Sequence, residues 1–111
     1  DNVEDDFKIM TEEPFGPLTP LLTFKNFDEL IKKANNQVAG LAGYVCTSSI
    51  ELANKTSESL ETGMVAVNTP FISNAETPFG GIKQSGYGRE GGSLGIKDYL
   101  NVKYTHLGLI G

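Results

Sequence analysis

The order of apolar and polar residues predicts an α/β chain, with a partial parallel sheet joined by crossover helices. Short apolar runs of strand length alternate with two amphipathic stretches, and each stretch opens on a capping residue and closes on Gly or Asn. The order strand, helix, strand, helix, strand is two consecutive crossover units, which implies parallel strands and right-handed connections. The last of these runs opens into a long glycine-rich stretch, Asn68 to Gly92. Stretches of that length without periodicity are uncommon in a domain unless they serve a site.

Taken in order, Phe7 to Met10 alternates enough for a short strand, which Thr11–Pro17 breaks. The two prolines around Phe15-Gly16 keep that backbone stiff and hold Glu12, Glu13 and Phe15 in definite directions. Leu18 to Phe24 has the composition of a buried strand, with Pro20 at its start or on an edge. Asn26 and Glu29 form a capping-box pair, and Phe27, Leu30, Ile31 and Ala34 share a helix face that ends at Asn35-Asn36 and Gly40. Gly43 to Thr47 is the next strand. Ser48 and Glu51 cap a second helix, with Leu52, Ala53, Thr56 and Leu60 inward and Gly63 as its stop. Met64 to Val67 is again strand, Gly95 to Asp98 a short helical turn, and Leu100 to His106 an alternating strand without an evident partner. An unpaired edge of that kind invites another chain.

The chain has 111 residues, a net charge of -5 and one adjacent basic pair, Lys32-Lys33, which argues against a nucleic-acid partner. No apolar run is long enough to cross a bilayer, so no membrane partner is expected. One cysteine excludes an internal disulfide framework and fits a reducing compartment. The opening DNVEDDFKIM carries no leader pattern and reads as the start of a fragment.

Candidate chemistry divides quickly. Gly86 to Gly91 matches G-x-G-x-x-G, yet it lacks the preceding strand, the following helix and the acidic residue about 20 positions on that dinucleotide binding requires. Cys46 sits among Tyr44, Val45 and Thr47 and reads as a core residue rather than a nucleophile. Glu12 and Glu13 point to opposite faces of an extended segment, so one of them at most addresses a site. His106 reads as a packing or surface residue, Asn54-Lys55-Thr56 as a chance sequon, and no metal-ligand cluster is present. The aromatic and aliphatic residues Phe71, Ile72, Phe79, Ile82 and Tyr87 mark the glycine-rich stretch as an ordered loop beside a site.

Glu12–Pro17, Asn68-Thr69, Pro78–Gly86 and Gly88-Arg89-Glu90 together resemble the C-terminal part of the aldehyde dehydrogenase superfamily, in order and spacing, over nearly the whole chain. Phe71-Ile72-Ser73, KQSGYGREGG and DYLNVKYTHLGL are most similar to the succinate-semialdehyde dehydrogenases within it. Ala39-Gly40 and Pro70-Phe71 depart from the common pattern. The resemblance implies the C-terminal portion of a catalytic domain over residues 1–97 and an oligomerisation strand and tail over 98–111. It implies NAD or NADP as cofactor, with Glu13 holding the nicotinamide-side ribose hydroxyls and Phe15 beside the nicotinamide. Ser73 would bond the distal carboxylate of the substrate, and Phe79 would line the aldehyde tunnel. Read without the resemblance, Glu13 is a surface acid, Phe15 and Phe79 are core, and Ser73 caps a turn.

The implied activity is oxidation of succinate semialdehyde to succinate. A cysteine thiolate attacks the aldehyde, a hydride leaves for the cofactor, and water activated by a glutamate releases the acid. No catalytic residue falls in this chain; the cysteine and glutamate are expected upstream, and the fragment alone is expected to be inactive. The implied partners are a small-molecule aldehyde and further copies of the chain, joined through the terminal strand. The expected location is the cytoplasm, organellar targeting remaining open. Glutarate semialdehyde is the alternative substrate, and a non-catalytic α/β binding or assembly module is the alternative of another class.

Overall fold

In the computed structural model, which describes residues 3, 4 and 6–111, the regular elements follow the α/β expectation in its middle third and depart from it at both ends. Helix α1 (Lys8–Thr11) occupies the place expected for the first strand. Its single turn is closed by the Glu12 N–H donating to the Lys8 carbonyl, 2.8 Å, and carries the exposed Lys8–Glu12 ion pair, 3.3 Å. A four-residue run that reads equally as strand or helix is settled by whichever partner is at hand, and here a local turn wins. Phe15 to Pro17 forms two successive three-residue turns, Gly16 N–H to Pro14 O at 3.0 Å and Leu18 N–H to Gly16 O at 2.8 Å. Leu18 to Phe24 is extended but joins no ladder among the described residues, so the first crossover unit is not formed. That segment lies instead along helix α2 (Phe27–Asn35), where the Lys33 ammonium donates to the Thr23 carbonyl at 2.9 Å.

The start of α2 follows the expected cap, with the Glu29 N–H donating to the Asn26 side chain at 2.9 Å. The reciprocal bond is displaced by one residue, because the Glu29 carboxylate accepts from the Lys25 N–H, 2.8 Å, rather than from Asn26. That bond first, and the Lys33 ammonium 3.0 Å away second, hold the Glu29 carboxyl below its ordinary pKa of 4.5.

The second crossover unit is present. Strands β2 (Ala42–Val45) and β3 (Met64–Val67) are parallel, in register Ala42 with Met64 through Val45 with Val67, and helix α3 (Ile50–Ser59) connects them. Ser49 caps α3, accepting from the Leu52 N–H at 3.2 Å, one residue after the position the sequence suggested. Few side chains are buried: Ala53 and Thr56 of α3, and Met64 and Ala66 of β3. Gly43 admits this packing because a Cβ there would stand 3.0 Å from Leu60 Cδ1.

An antiparallel pair completes the sheet content. Strand β1 (Ala39–Gly40) pairs with β4 (Ile82–Lys83), which lies inside the glycine-rich loop. Gly92–Gly95 forms helix α4, Ile96–Tyr99 a 3-10 turn, and residues 100–111 run extended without a ladder among the described residues. Cys46 is exposed at the end of β2, which corrects its reading as core: it lies one residue beyond the strand, where the chain leaves the packed layer.

The chain exposes 9381 Å², against about 6,000 Å² for a folded monomer of this mass. Its radius of gyration is 19.5 Å, against about 13 Å for a compact domain of similar length. Neither value fits a sphere closed around one core.

Candidate functional site

The carboxyl ends of β2 and β3 are the edge where an open α/β sheet places its ligands. Asn68, the residue after β3, closes that edge. Its N–H donates to the Val45 carbonyl at 2.8 Å, while its side-chain amide accepts from the Thr47 N–H at 2.9 Å and donates to the Thr47 carbonyl at 2.8 Å. The amide thereby extends the parallel ladder by imitating a peptide group. It also turns the backbone, since Asn68 has φ 55°, a conformation Asn adopts more readily than other side chains.

The loop that follows is irregular but closely tied. Asn74 folds it back, its side-chain oxygen accepting from the N–H groups of Glu76 and Thr77, each at 3.0 Å. This turn, made by Asn74 and not by Ser73, lies on Gly91 and Gly92: the Gly92 N–H donates to the Ala75 carbonyl at 3.0 Å, and a Cβ at Gly91 would stand 2.8 Å from the Thr77 carbonyl. Phe79 and Glu90 exchange both backbone hydrogen bonds at 2.7 Å. One Arg89 guanidinium nitrogen donates to the carbonyls of Gly81, 2.9 Å, and Gly88, 2.7 Å, while the Arg89 N–H donates to the Asp98 carboxylate at 2.9 Å. The fingerprint-like glycines 86 to 91 are thus occupied by contacts within the loop, and the helix after them, α4, has four residues.

The four expected site residues fall in three places. Glu13 and Phe15 stand on the exposed turns after α1, the Phe15 ring 97% exposed, which rules out a core role within this chain. Ser73 is exposed in the first part of the loop. Phe79 is half-buried and lines a concavity of about 340 Å³ together with Leu41, Tyr87, Arg89 and Tyr99. Glu13, Phe15 and Ser73 do not line this concavity.

The larger concavity, about 890 Å³, lies between α2, Leu22–Phe24 and Met10-Thr11 and contains none of the four. We read it as an uncovered helix face rather than a site, because polar groups on its walls, among them Glu29, Lys33, Asn35 and Glu61, are engaged with partners within the chain. The one histidine, His106, bonds the Tyr104 hydroxyl at 3.2 Å in the terminal segment, which gives Cys46 no imidazole partner. Among the described residues no group of His, Cys, Asp and Glu forms a metal site. None of their helices is long and apolar enough to cross a membrane.

The sequence reading missed Asn68, Asn74, Lys83, Arg89 and Asp98 as loop supports. Asn74 had a legible signal, since Asn ahead of Ala-Glu-Thr-Pro is turn chemistry. The partners of Lys83 and Arg89 lie in carbonyls that no spacing rule indicates.

Residues 1–105 match the model of the aldehyde dehydrogenase family. The chain belongs to that family. It is 48% identical over 107 residues to the mitochondrial succinate-semialdehyde dehydrogenase of Oryza sativa, covering 96% of this chain and 20% of the relative. It is 52% identical over 101 residues to the 3-sulfolactaldehyde dehydrogenase of Pseudomonas putida, covering 91% and 21%. The NADP(+) succinate-semialdehyde dehydrogenase of Escherichia coli is 48% identical over 102 residues, covering 92% and 21%. Among solved structures, the NAD+ complex of aldehyde dehydrogenase from Bacillus cereus superposes with a TM-score of 0.88 at 43% identity, over 92% of this chain and 21% of that one. The chain therefore spans about a fifth of the length of these aldehyde dehydrogenases.

Proposed function

We propose that the chain is the C-terminal portion of the catalytic domain of an NAD(P)-dependent dehydrogenase that oxidises succinate semialdehyde to succinate. The observation that carries this reading is the loop after β3, tied at Asn68, Asn74, Phe79 and Arg89 into one defined wall, in a segment about half identical to enzymes for anionic aldehydes. In that wall Phe79 flanks the aldehyde and Ser73 offers a hydroxyl to the distal carboxylate. The charge-assisted bond distinguishes an anionic aldehyde from a neutral one. Glu13 and Phe15 face the cofactor. An exposed carboxylate on a segment stiffened by Pro14 and Pro17 suits a ribose diol, because both of its oxygens accept. The bound cofactor supplies the hydride acceptor, and these residues orient and bind.

The nucleophilic cysteine and the general base come from parts of the protein outside this chain. The exposed area and extended shape support that division, since much apolar surface awaits cover. Residues 1–97 serve the catalytic domain. Residues 98–111 serve as a strand and tail that join another copy by edge pairing. The protein acts in the cytoplasm on this reading.

The test is Ser73→Ala in the full-length protein. KM for succinate semialdehyde should rise roughly tenfold or more, as expected for a lost hydrogen bond to a charged group, while KM for a neutral aldehyde stays nearly constant. An equal rise for both aldehydes removes Ser73 from the substrate site. A larger effect on glutarate semialdehyde or 3-sulfolactaldehyde would reassign the substrate while keeping the anion-binding role.

A further inference from the structure

Lys83 shares with Asn68 a left-handed backbone in the loop, and its side chain reaches out of the loop to the ends of α2 and α3. Its φ is 56°, in the left-handed region that a long side chain seldom occupies. Such a conformation persists where the surroundings over-determine it. The surroundings here are one compact polar knot. The Lys83 ammonium donates to the carbonyls of Asn35, 2.9 Å, and Gln37, 3.3 Å, and pairs with the Glu61 carboxylate at 2.6 Å. The first carbonyl is the last of α2, so the cation also meets the negative end of that helix. Asn35 ties the knot to the end of α3, donating to the Ser59 carbonyl and accepting from the Glu61 N–H, both at 2.8 Å. The Lys83 side chain is 26% exposed, so its bonds are partly shielded from water.

What the knot holds is the backbone that carries Phe79. Beside Lys83, the Gln84 N–H donates to the Val38 carbonyl at 2.9 Å, and the Ser85 hydroxyl accepts from the Gly40 N–H at 2.9 Å. Between Phe79 and Ile82 the backbone is closely packed. A Cβ at Gly80 would stand 2.6 Å from the Gly88 carbonyl, and one at Gly81 would collide with the Ser85 side chain. Lys83 thus stands four residues from Phe79 along a closely packed segment.

We infer that Lys83 is a positioning residue for the aldehyde wall: its ammonium, anchored on the ends of α2 and α3, fixes where the Phe79 ring stands. The inference rests on the reading of Phe79 as part of that wall. Lys83 itself touches no reactant in this role, and its influence falls on the aldehyde rather than on the cofactor, whose contacts Glu13 and Phe15 lie on a separate segment.

The test compares Lys83→Met, Lys83→Arg and Glu61→Gln in the full-length protein, with amide hydrogen exchange measured beside steady-state kinetics. Lys83→Met should speed exchange across residues 79–86 and raise KM for the aldehyde by about tenfold, with KM for NAD(P) changing less than about twofold. Lys83→Arg should recover part of both effects by restoring a cation, and Glu61→Gln should show about a third of each, because the carbonyl bonds remain. A fall in Tm without faster exchange at 79–86, or equal rises in both KM values, overturns the inference and leaves Lys83 a stability residue only. If Lys83→Met does not fold, Glu61→Gln decides, and unchanged exchange with unchanged aldehyde KM overturns it. A wild-type protein that oxidises no aldehyde rejects the parent reading instead, and the exchange result still decides whether Lys83 holds the loop.

Discussion

The loop 68–92 and the terminal segment 100–111 are both nearly devoid of regular structure, yet they are held in opposite ways. The loop is fastened by the chain itself: a side-chain amide extends the sheet at Asn68, a bridge joins Phe79 to Glu90, and in its second half Lys83 and Arg89 gather backbone carbonyls. In the terminal segment the Tyr104 hydroxyl bonds His106, while Val102, Leu107, Leu109 and Ile110 stand almost fully in solvent. Irregular backbone is thus no measure of order. A loop whose polar groups find partners within the chain is shaped by the chain, whereas an extended apolar segment takes its shape from what lies against it.

The comparison breaks most readily at Gly63. A Cβ there would collide with the Gly80 carbonyl, where β3 begins and the loop passes behind it. Gly63→Ala in the full-length protein should lower stability by about 3 kcal/mol, since the obstacle is backbone that cannot swing away. Thermal unfolding measures this, and an unchanged Tm would mean that the loop yields easily. Arg89→Met is the next largest change. It leaves the Gly81 and Gly88 carbonyls without their shared donor, at about 1.5–3 kcal/mol. Faster amide exchange should centre on residues 79–90 and spare 100–111.

A third variant tests a support that water already weakens. The Glu29 carboxyl has its pKa lowered by the Lys25 N–H and the Lys33 ammonium, so folding favours its charged form. That contribution is complete above pH 4.5 and is lost as the pH falls through the lowered folded value. Glu29→Gln should remove a small part of the acid dependence of Tm, and an identical profile would show that solvent screens the pair entirely. The smallest effect on subunit stability belongs to the tail. Val102→Ser should change the unfolding free energy of a dissociated subunit by less than about 0.5 kcal/mol, while analytical ultracentrifugation detects weaker assembly of the full-length protein. A large loss in the dissociated subunit would show that the tail folds onto its own chain.

The middle of the chain was legible because its signals are local. Asn26 caps α2 as its spacing suggests, Met64–Val67 is a strand at the expected residues, and β2 is parallel to it through a crossover helix. The N-terminal part was misread where a short run admits two readings. Phe7 to Met10 alternates, yet Lys8–Thr11 closes a helical turn, and Leu18 to Phe24 has strand composition but no ladder. Strand composition states a preference for a pleated, half-buried surface, and it cannot supply the neighbouring strand. Of the expected site residues, Ser73 and Phe79 fall on the loop that the sequence marked out, while Glu13 and Phe15 stand exposed on the turns after α1.

By itself, then, the sequence determined the α/β class, the central β-α-β unit and the family. Periodicity, caps and motif order act over a few residues and need no distant partner. Tertiary structure alone decided that β1 pairs with a strand inside the loop, that Lys83 and Arg89 spend their donors on backbone carbonyls, and that Phe79 lines a concavity while Phe15 stands in solvent. Those outcomes depend on which groups meet across tens of residues, and side-chain type does not encode that distance.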